Sequence, residues 1–388
     1  MLDTPAQSGV NLNENKVEEM EQELQRLQTH IRRAAEKNTP LTIRGSGSKD
    51  FYGEPYRAPD AQILDVSAYR GIVLYDPDEL MLTVRAGTSL VEIEAVLAEK
   101  RQILPFEPPH FGKTATIGGA VSAGLAGPRR AHAGAVRDFV TGCQMIDGRA
   151  QLLRFGGRVV KNVAGFDMHK TMVGAMGTLG VLTELSLKVL PAPFAEQTQI
   201  LACGAEEARR MMNALMGQPL PLSGTFWADG KLFLRLSGTE NGVRAAALQI
   251  GGETVKTGGM QTLPPHFQTA SVFWTAVREQ QLPEFALQEG ERLWRVTVPD
   301  TAPDLGLGGC LMEWGGGLRW YKSRLPAAEI RRAAAEKGGH AVLFRGALQA
   351  GETVFPPQES ALAAVQTRLK KLFDPQGIFN PKRLSADG

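Results

Sequence analysis

Cysteine is scarce in this chain. Cys143, Cys203 and Cys310 are far apart, odd in number and never arranged as C-x-x-C. That pattern excludes a disulfide framework, a structural zinc site and an iron–sulfur cluster held by this chain alone. It points to a reducing cytosol. A dominant charge is also missing: 43 Lys and Arg against 41 Asp and Glu leave a formal net charge of +2. Neither nucleic acid nor an acidic membrane surface therefore has an electrostatic claim as main partner. No run approaches the roughly 18 apolar residues of a membrane span. The opening MLDTPAQSGVNLNENK lacks the basic-then-apolar order of a secretory signal. Peripheral attachment through a membrane-bound partner stays open. The six histidines (His30, His110, His132, His169, His266, His340) are never closer than 22 residues. Metal-ligand spacing is thus absent and no metal site is expected. A lone histidine is more often a surface or satisfied core residue than a catalyst.

What is abundant is glycine: 43 in 388 residues, about 11% against the usual ~7%. The length suffices for two domains with a core each. After a polar stretch, residues 1–16, an apolar stripe runs Val17, Met20, Leu24, Leu27, Ile31, Ala34. It is shorter than three heptads and predicts an ordinary helix packed on its own domain. Leu41 to Ile43, ILDVSAY (63–69), ELMLTVRAGTSL (79–90) and VRDFVTGCQMI (136–146) read as strands, as does Val181 to Leu190. SLVEIEAVLAEK (89–100) reads as a helix with Ser89 as N-cap. Pro191–Pro193 mark a boundary. Beyond it, LSGTFWADGKLFLRLSG (222–238) predicts a hairpin turning at Asp229-Gly230. Helices at 241–250 and 326–339 and strands at 292–299, 318–323 and 340–346 complete an α+β pattern with an antiparallel sheet. The tail 367–384 reads as a short helix and an extended segment.

A dinucleotide's diphosphate is held by backbone N–H groups at close range, and glycine permits that approach. Arg44-Gly45-Ser46-Gly47-Ser48-Lys49 follows a strand, but position 50 is Asp50, so G-x-G-x-x-G fails. Alone, this loop is either a phosphate turn or a tight strand connection. The stretch from Thr114 to Gly124 surrounds Gly118-Gly119 with small residues. It could lie flat against a cofactor and offer consecutive N–H groups, or form a small-residue helix packed on a neighbour. A third glycine segment, Gly174 to Gly180, shifts the balance toward a dinucleotide.

The order R-G-S-G-S, A-T-I-G-G, G-x-x-R-D, V-K-N-V-A-G-F-D and G-T-L-G-V-L-T-E resembles the vanillyl-alcohol-oxidase-type, or PCMH-type, FAD domain. With EWGGGLRW, GGHA and DPQGIFNP added, nearly the whole chain is similar to the FAD-binding E subunits of bacterial glycolate oxidases. The resemblance implies an α+β fold: a two-part PCMH-type FAD-binding domain at 40–191 and an α+β cap with an antiparallel sheet at 195–365. An N-terminal tail and helix (1–39) precede them, and a segment (366–388) returns to the FAD domain. It implies that Arg44, Gly45, Ser46, Gly47, Ser48 and Lys49 wrap the diphosphate from one side. Thr116, Ile117, Gly118, Gly119 and Ser122 would face it from the other. Gly134 and Asp138 would sit near the flavin or ribose, and Gly177, Gly180 and Val181 near the adenine. Relatives that attach FAD covalently use a histidine beside the first loop or a cysteine near the second. Residues 44–53 and 112–130 contain neither, so FAD is expected to be non-covalent.

Oxidising a 2-hydroxy acid requires a base for the hydroxyl proton and cations for the carboxylate. The H-x-G-D-G-N-x-H stretch of related catalytic subunits is missing, so the catalytic residues stay unknown. Ala175-Met176 stands where relatives carry Ser-Glu, and Phe166 where they carry Tyr. Arg129, Arg130 and Arg137 could neutralise a phosphate or carboxylate, or be surface charge. Lys161 and Asp167 could pair with each other. Trp227, Trp294, Trp314 and Trp320 read as core or interface residues. The resemblance implies glycolate oxidation to glyoxylate inside a complex, with a second FAD subunit and a separate iron–sulfur subunit taking electrons. A free-standing hydroxy-acid or alcohol dehydrogenase and a non-catalytic flavin-binding scaffold are the alternatives.

Overall fold

A computed structural model describes residues 14–55, 58–157, 167–255 and 269–385. The first helix, Glu14–Glu36, buries Met20, Leu27, Ile31 and Ala34 and leaves Val17 exposed. Its stripe packs on its own domain, against Leu41, Leu64 and Val66 and against Ile378 and Phe379 from the far end of the chain. Beside it β1 (Leu41–Arg44) pairs in parallel with β2 (Gln62–Asp65). Then come β3 (Ile72–Asp76), β4 (Met81–Arg85), β5 (Gln102–Ile103), β6 (Val140–Ile146), β7 (Leu152–Gly156), β8 (Val181–Lys188) and β9 (Leu190–Pro191). Five of them form an antiparallel sheet in the order β3-β4-β8-β6-β7, and β5 pairs with β9.

Local chemistry explains the departures from the expected boundaries. Residues 136–146 do not form one strand. Val136–Phe139 is a helical turn, and the strand begins at Val140. The Asp138 carboxylate accepts the Ala135 N–H at 2.7 Å, which closes the turn. The strand expected at 79–90 stops at Arg85, because Gly87 passes within van der Waals contact of the Val66 and Tyr69 carbonyls. Ser89 does cap the helix Leu90–Glu99, accepting from the Glu92 N–H.

The second half folds as one eight-stranded antiparallel sheet. Its strands are β10 (Ala195–Ala202), β11 (Leu222–Ala228), β12 (Lys231–Gly238), β13 (Glu253–Val255), β14 (Arg292–Thr297), β15 (Cys310–Glu313), β16 (Leu318–Ser323) and β17 (His340–Arg345). The order is β13-β10-β12-β11-β15-β16-β14-β17. The predicted hairpin turns at Asp229 (φ 46°) and Gly230 (φ 74°), the left-handed pair that a two-residue hairpin loop requires. One sheet face is covered by the helices Ala205–Met216, Glu240–Ile250 and Ala327–Ala335. The other packs on the helix Ala270–Arg278 and on Tyr52, Leu125 and Met176 of the first domain. The cap is therefore seated by a shared apolar core.

Buried charge fixes how it sits. The Glu107 carboxylate, in the first domain, accepts from Arg235 on β12 at 2.9 Å and from the N–H and Nε of Arg129. Arg129 also reaches Glu196 on β10 at 3.1 Å. Glu279 of the cap accepts the N–H groups of His110 and Phe111, and Glu54 accepts those of Val354 and Phe355. Burial opposes ionisation of Glu107, but Arg235 and Arg129 outweigh it and hold the carboxyl at about 2.

Two expectations follow from this seating. Glu107→Gln leaves Arg235 without its counter-charge and lowers stability by about 3–5 kcal/mol in chemical denaturation. Because the Glu107 pKa is depressed on folding, its contribution is complete above the ordinary value of 4.5 and fades as pH falls toward 2. The wild type therefore loses stability across that window. The variant, measured in parallel, shows a flatter acid limb.

Candidate functional site

A cavity enclosing about 1080 Å³, mouth included, opens between the β1–β2 unit, the helix Ile117–Ala123 and the C-terminal segment. Both glycine-rich stretches line it. Gly45, Ser46, Gly47, Ser48 and Lys49 form one wall, Thr116, Gly118, Gly119 and Ser122 a second, and Gly177 and Gly180 a third. The two loops touch: a Cβ on Gly45 would lie 2.5 Å from the Thr116 hydroxyl. Ile117 and Val181 do not face the cavity; both are fully buried in apolar cores. Gly134 and Asp138 also lie outside its lining, at the turn that starts β6.

The loops differ in what they offer. Among the described residues, the backbone N–H groups of Gly45 to Lys49 make no hydrogen bond to the chain. Five successive unpaired donors lining a cavity are rare, since buried N–H groups are otherwise almost always paired. Arg44 stiffens the loop, bridging to Asp50 at 2.7 Å while its guanidinium packs over Gly47, whose φ is 75°. The expectation that the second stretch presents consecutive N–H groups needs correction. Ile117 donates to the Thr88 carbonyl, Gly118 to Ala86, and Gly119 to the Thr116 hydroxyl. The stretch is a short helix with Thr116 as N-cap, and its role on the cavity wall is close approach. Gly118 is needed for packing, as its Cβ would meet Ala86 at 2.8 Å. Gly119 has only the Thr116 hydroxyl nearby and faces the cavity.

Several lining residues escaped the sequence reading, among them Tyr52, Met176, Leu182, Asn380 and Arg383. Asn380 accepts from the Ile43 N–H and donates to the Met176 carbonyl, tying β1 to the third wall. Arg383 donates to the carbonyls of Asp50 and Glu54. The motif DPQGIFNP hinted at this brace. Its first residue, Asp374, accepts from the Ile378 and Phe379 N–H groups and from Lys370 at 2.6 Å. Lys49 bonds the His110 carbonyl, and burial pushes its ammonium down to about 8.

Beyond the cavity, the cap face turned toward the first domain is charged. Burial pushes Glu313 up to about 7; its Oε1 accepts from Trp320 Nε1 at 2.7 Å. Burial lowers His132 to about 4, and Arg235 and Arg129 reinforce it. Arg129 is committed to Glu107 and Glu196, Arg130 stacks on Trp314, and Arg137 is exposed. Asp167 pairs with Lys170, while Lys161 and Phe166 lie outside the described residues. Trp294, Trp314 and Trp320 are core or interface residues as expected, and Trp227 bonds the Cys203 carbonyl. Among the described residues no cluster of His, Cys, Asp or Glu could hold a metal, and no helix is long and apolar enough to cross a membrane.

A family model for the FAD binding domain matches residues 21–156. The chain is 46% identical to the glycolate oxidase subunit GlcE of Escherichia coli (strain K12), over 94% of its own length and 97% of the relative's. It is 30% identical to glycolate oxidase subunit GlcD of Bacillus subtilis (strain 168), over 42% of this chain and 34% of that one. Among solved structures, alkyldihydroxyacetonephosphate synthase superposes with a TM-score of 0.62 at 13% identity, over 92% of this chain and 74% of that one, a likeness of fold. Full-length similarity and a cavity walled by both glycine-rich turns give one conclusion: the chain is an FAD-binding protein of the PCMH type and belongs to the family of the glycolate oxidase subunit GlcE.

Proposed function

We propose that this chain is the FAD-binding subunit of a glycolate-oxidising complex. It would take part in converting glycolate to glyoxylate and pass electrons to a separate iron–sulfur subunit, beside a second FAD subunit. The single observation that carries the cofactor side is the row of unpaired N–H donors from Gly45 to Lys49 on the cavity wall. That donor set suits a diphosphate. Similarity over 97% of a glycolate oxidase subunit supports the substrate class. When bound, FAD supplies the two-electron acceptor for the hydroxyl-bearing carbon.

The chain's own residues then have these roles. Gly45 to Lys49 hold the diphosphate, with Arg44 and Asp50 bracing the loop. Thr116, Gly119 and Ser122 form the opposing wall, and Gly177 and Gly180 the third. Tyr52 and Met176 line the cavity and also pack in the apolar cluster shared with the cap, so the cap rests against that wall. The three cysteines are free and only three in number, fewer than a cluster's usual four thiolate ligands, which supports electron transfer to another subunit's cluster. In the sequence the six histidines are never closer than 22 residues, which supports a need for partner subunits during turnover.

Gly119→Val places its side chain in the cavity while sparing the packing that Gly118 requires. The expected outcome is loss of at least nine-tenths of the bound flavin, read from the visible spectrum, with a nearly unchanged melting temperature. Gly118→Val should instead lower the melting temperature itself. Acid precipitation should release all the flavin into the supernatant; colour retained in the pellet would mean a covalent link. The complex should show glycolate-dependent dye reduction that this subunit alone lacks, and full turnover by the isolated subunit would overturn the need for partners.

A further inference from the structure

Two arginines at the junction of the domains sit in no ion pair among the described residues. Arg295 lies on β14 on the same face as Leu293, the face turned toward the first domain; Trp294 and Val296 point the other way. Arg130 comes from the first domain, on the turn Arg130–Ala133 that follows the cavity-lining helix Ile117–Ala123. Their guanidiniums lie 5.1 Å and 4.4 Å from the centroid of the same indole, Trp314. That ring is buried, and its Nε1 is held by the Gly127 carbonyl at 3.0 Å. Both arginines are half-buried. Among the described residues neither forms an ion pair or a hydrogen bond. The other arginines of this junction do: Arg129 and Arg235 with Glu107, and Arg278 with Glu279.

Two like charges without an ion-pair partner in a partly dry cleft are costly, because each loses hydration and repels the other, and for Arg130 the exposed Asp138 offsets only part of this. Burial, and then Arg295, lowers the affinity of Arg130 for its proton. The buried Glu313 carboxyl of the cap feels Arg295, but it accepts from Trp320 Nε1 and forms no ion pair with that arginine. His132 adds a buried Nε2 without a partner, two residues from Arg130. The place is not part of the diphosphate wall, since neither arginine lines that cavity. It is linked to the cavity, however, because Tyr52 lines the cavity and packs in the same buried cluster as Trp314.

From this we infer that Arg130 and Arg295, held against Trp314, form a binding site for a small carboxylate anion, one arginine from each domain. The inference rests on the reading of this chain as part of a hydroxy-acid-oxidising flavoprotein, whose substrate is such an anion. Planar guanidiniums suit a planar carboxylate better than ammonium groups would. Their placement on two domains would make substrate binding depend on the cap being seated.

The test uses the full chain loaded with FAD, its flavin content measured first. Oxalate, which carries no oxidisable hydroxyl, is titrated at constant ionic strength, with flavin absorbance and tryptophan fluorescence as readouts. Saturable binding is expected, weakened at least tenfold by Arg295→Met or Arg130→Met and partly restored by the Lys variants, with flavin content and melting temperature kept. Equal oxalate affinity in the wild type and both Met variants would overturn the site. So would an equal response to chloride, or a shifted flavin reduction potential with unchanged oxalate binding, which would assign the pair to the flavin. A colourless chain that refuses FAD would overturn the proposed function instead. In that case calorimetric titration of oxalate into the colourless chain still reads the arginine pair.

Discussion

The architecture depends on one buried ionic contact, Glu107 with Arg235. Two domains joined only through apolar surface can slide over one another, because the hydrophobic effect has no direction. A desolvated carboxylate–guanidinium pair does have direction, and its cost when broken is large. Glu107 sits on the loop after Phe106, whose ring is buried in the first core, so its position is inherited from that core. Arg235 is pinned from the cap side by Ser223, through its hydroxyl and its carbonyl, and by the Trp274 ring. The pair thus transmits the geometry of one core to the other. Arg129 extends it to Glu196, which in turn accepts from Ser237, so two strands of the cap are referenced to one loop of the first domain.

That registration matters because the cavity is built by parts distant in sequence. The donor loop after β1 is shaped by Arg44 and Asp50, supported from the tail by Arg383, and approached by Thr116. Apart from the Arg44–Asp50 bridge, none of these contacts is local. Asn380 bonds both the β1 edge and the Met176 segment, each more than two hundred residues away from it in the chain. Unpaired donors in the loop are stable only because the surroundings hold the loop open. Otherwise the chain would fold back on itself to satisfy them.

The sequence made some of this legible and hid the rest for physical reasons. The helix from Glu14 was readable from its apolar period, and the hairpin from Asp229-Gly230, because both signals are local. Gly45 to Lys49 could be recognised as a loop, but not as a row of free donors, since that depends on what the rest of the chain leaves unpaired. Gly118 and Gly119 look equivalent in the sequence. Only the fold shows that one makes room for Ala86 and the other for the cavity. Ile117 and Val181 sit beside lining residues, yet helix and strand geometry turns them inward. Arg295 carried no motif at all; its interest comes from Arg130, which lies in the other domain.

Met176 shows how one residue can couple the two functions of the fold. The resemblance to relatives marks its place as one where a polar side chain is usual, and here the loss is structural as well as chemical. Met176 has φ 49°, a backbone setting that costs a non-glycine residue of order 1 kcal/mol. Its N–H bonds the Ser122 carbonyl and its own carbonyl bonds Asn380, so the fold enforces the setting from both sides. The side chain lines the cavity and belongs to the apolar core shared with the cap, beside Tyr52 and Leu125. A thioether suits such a double boundary, because it adapts its shape and asks for no hydrogen bond. A polar group there would demand a partner exactly where the two domains need a dry contact. The exchange therefore ties the shape of the cavity to the seating of the cap.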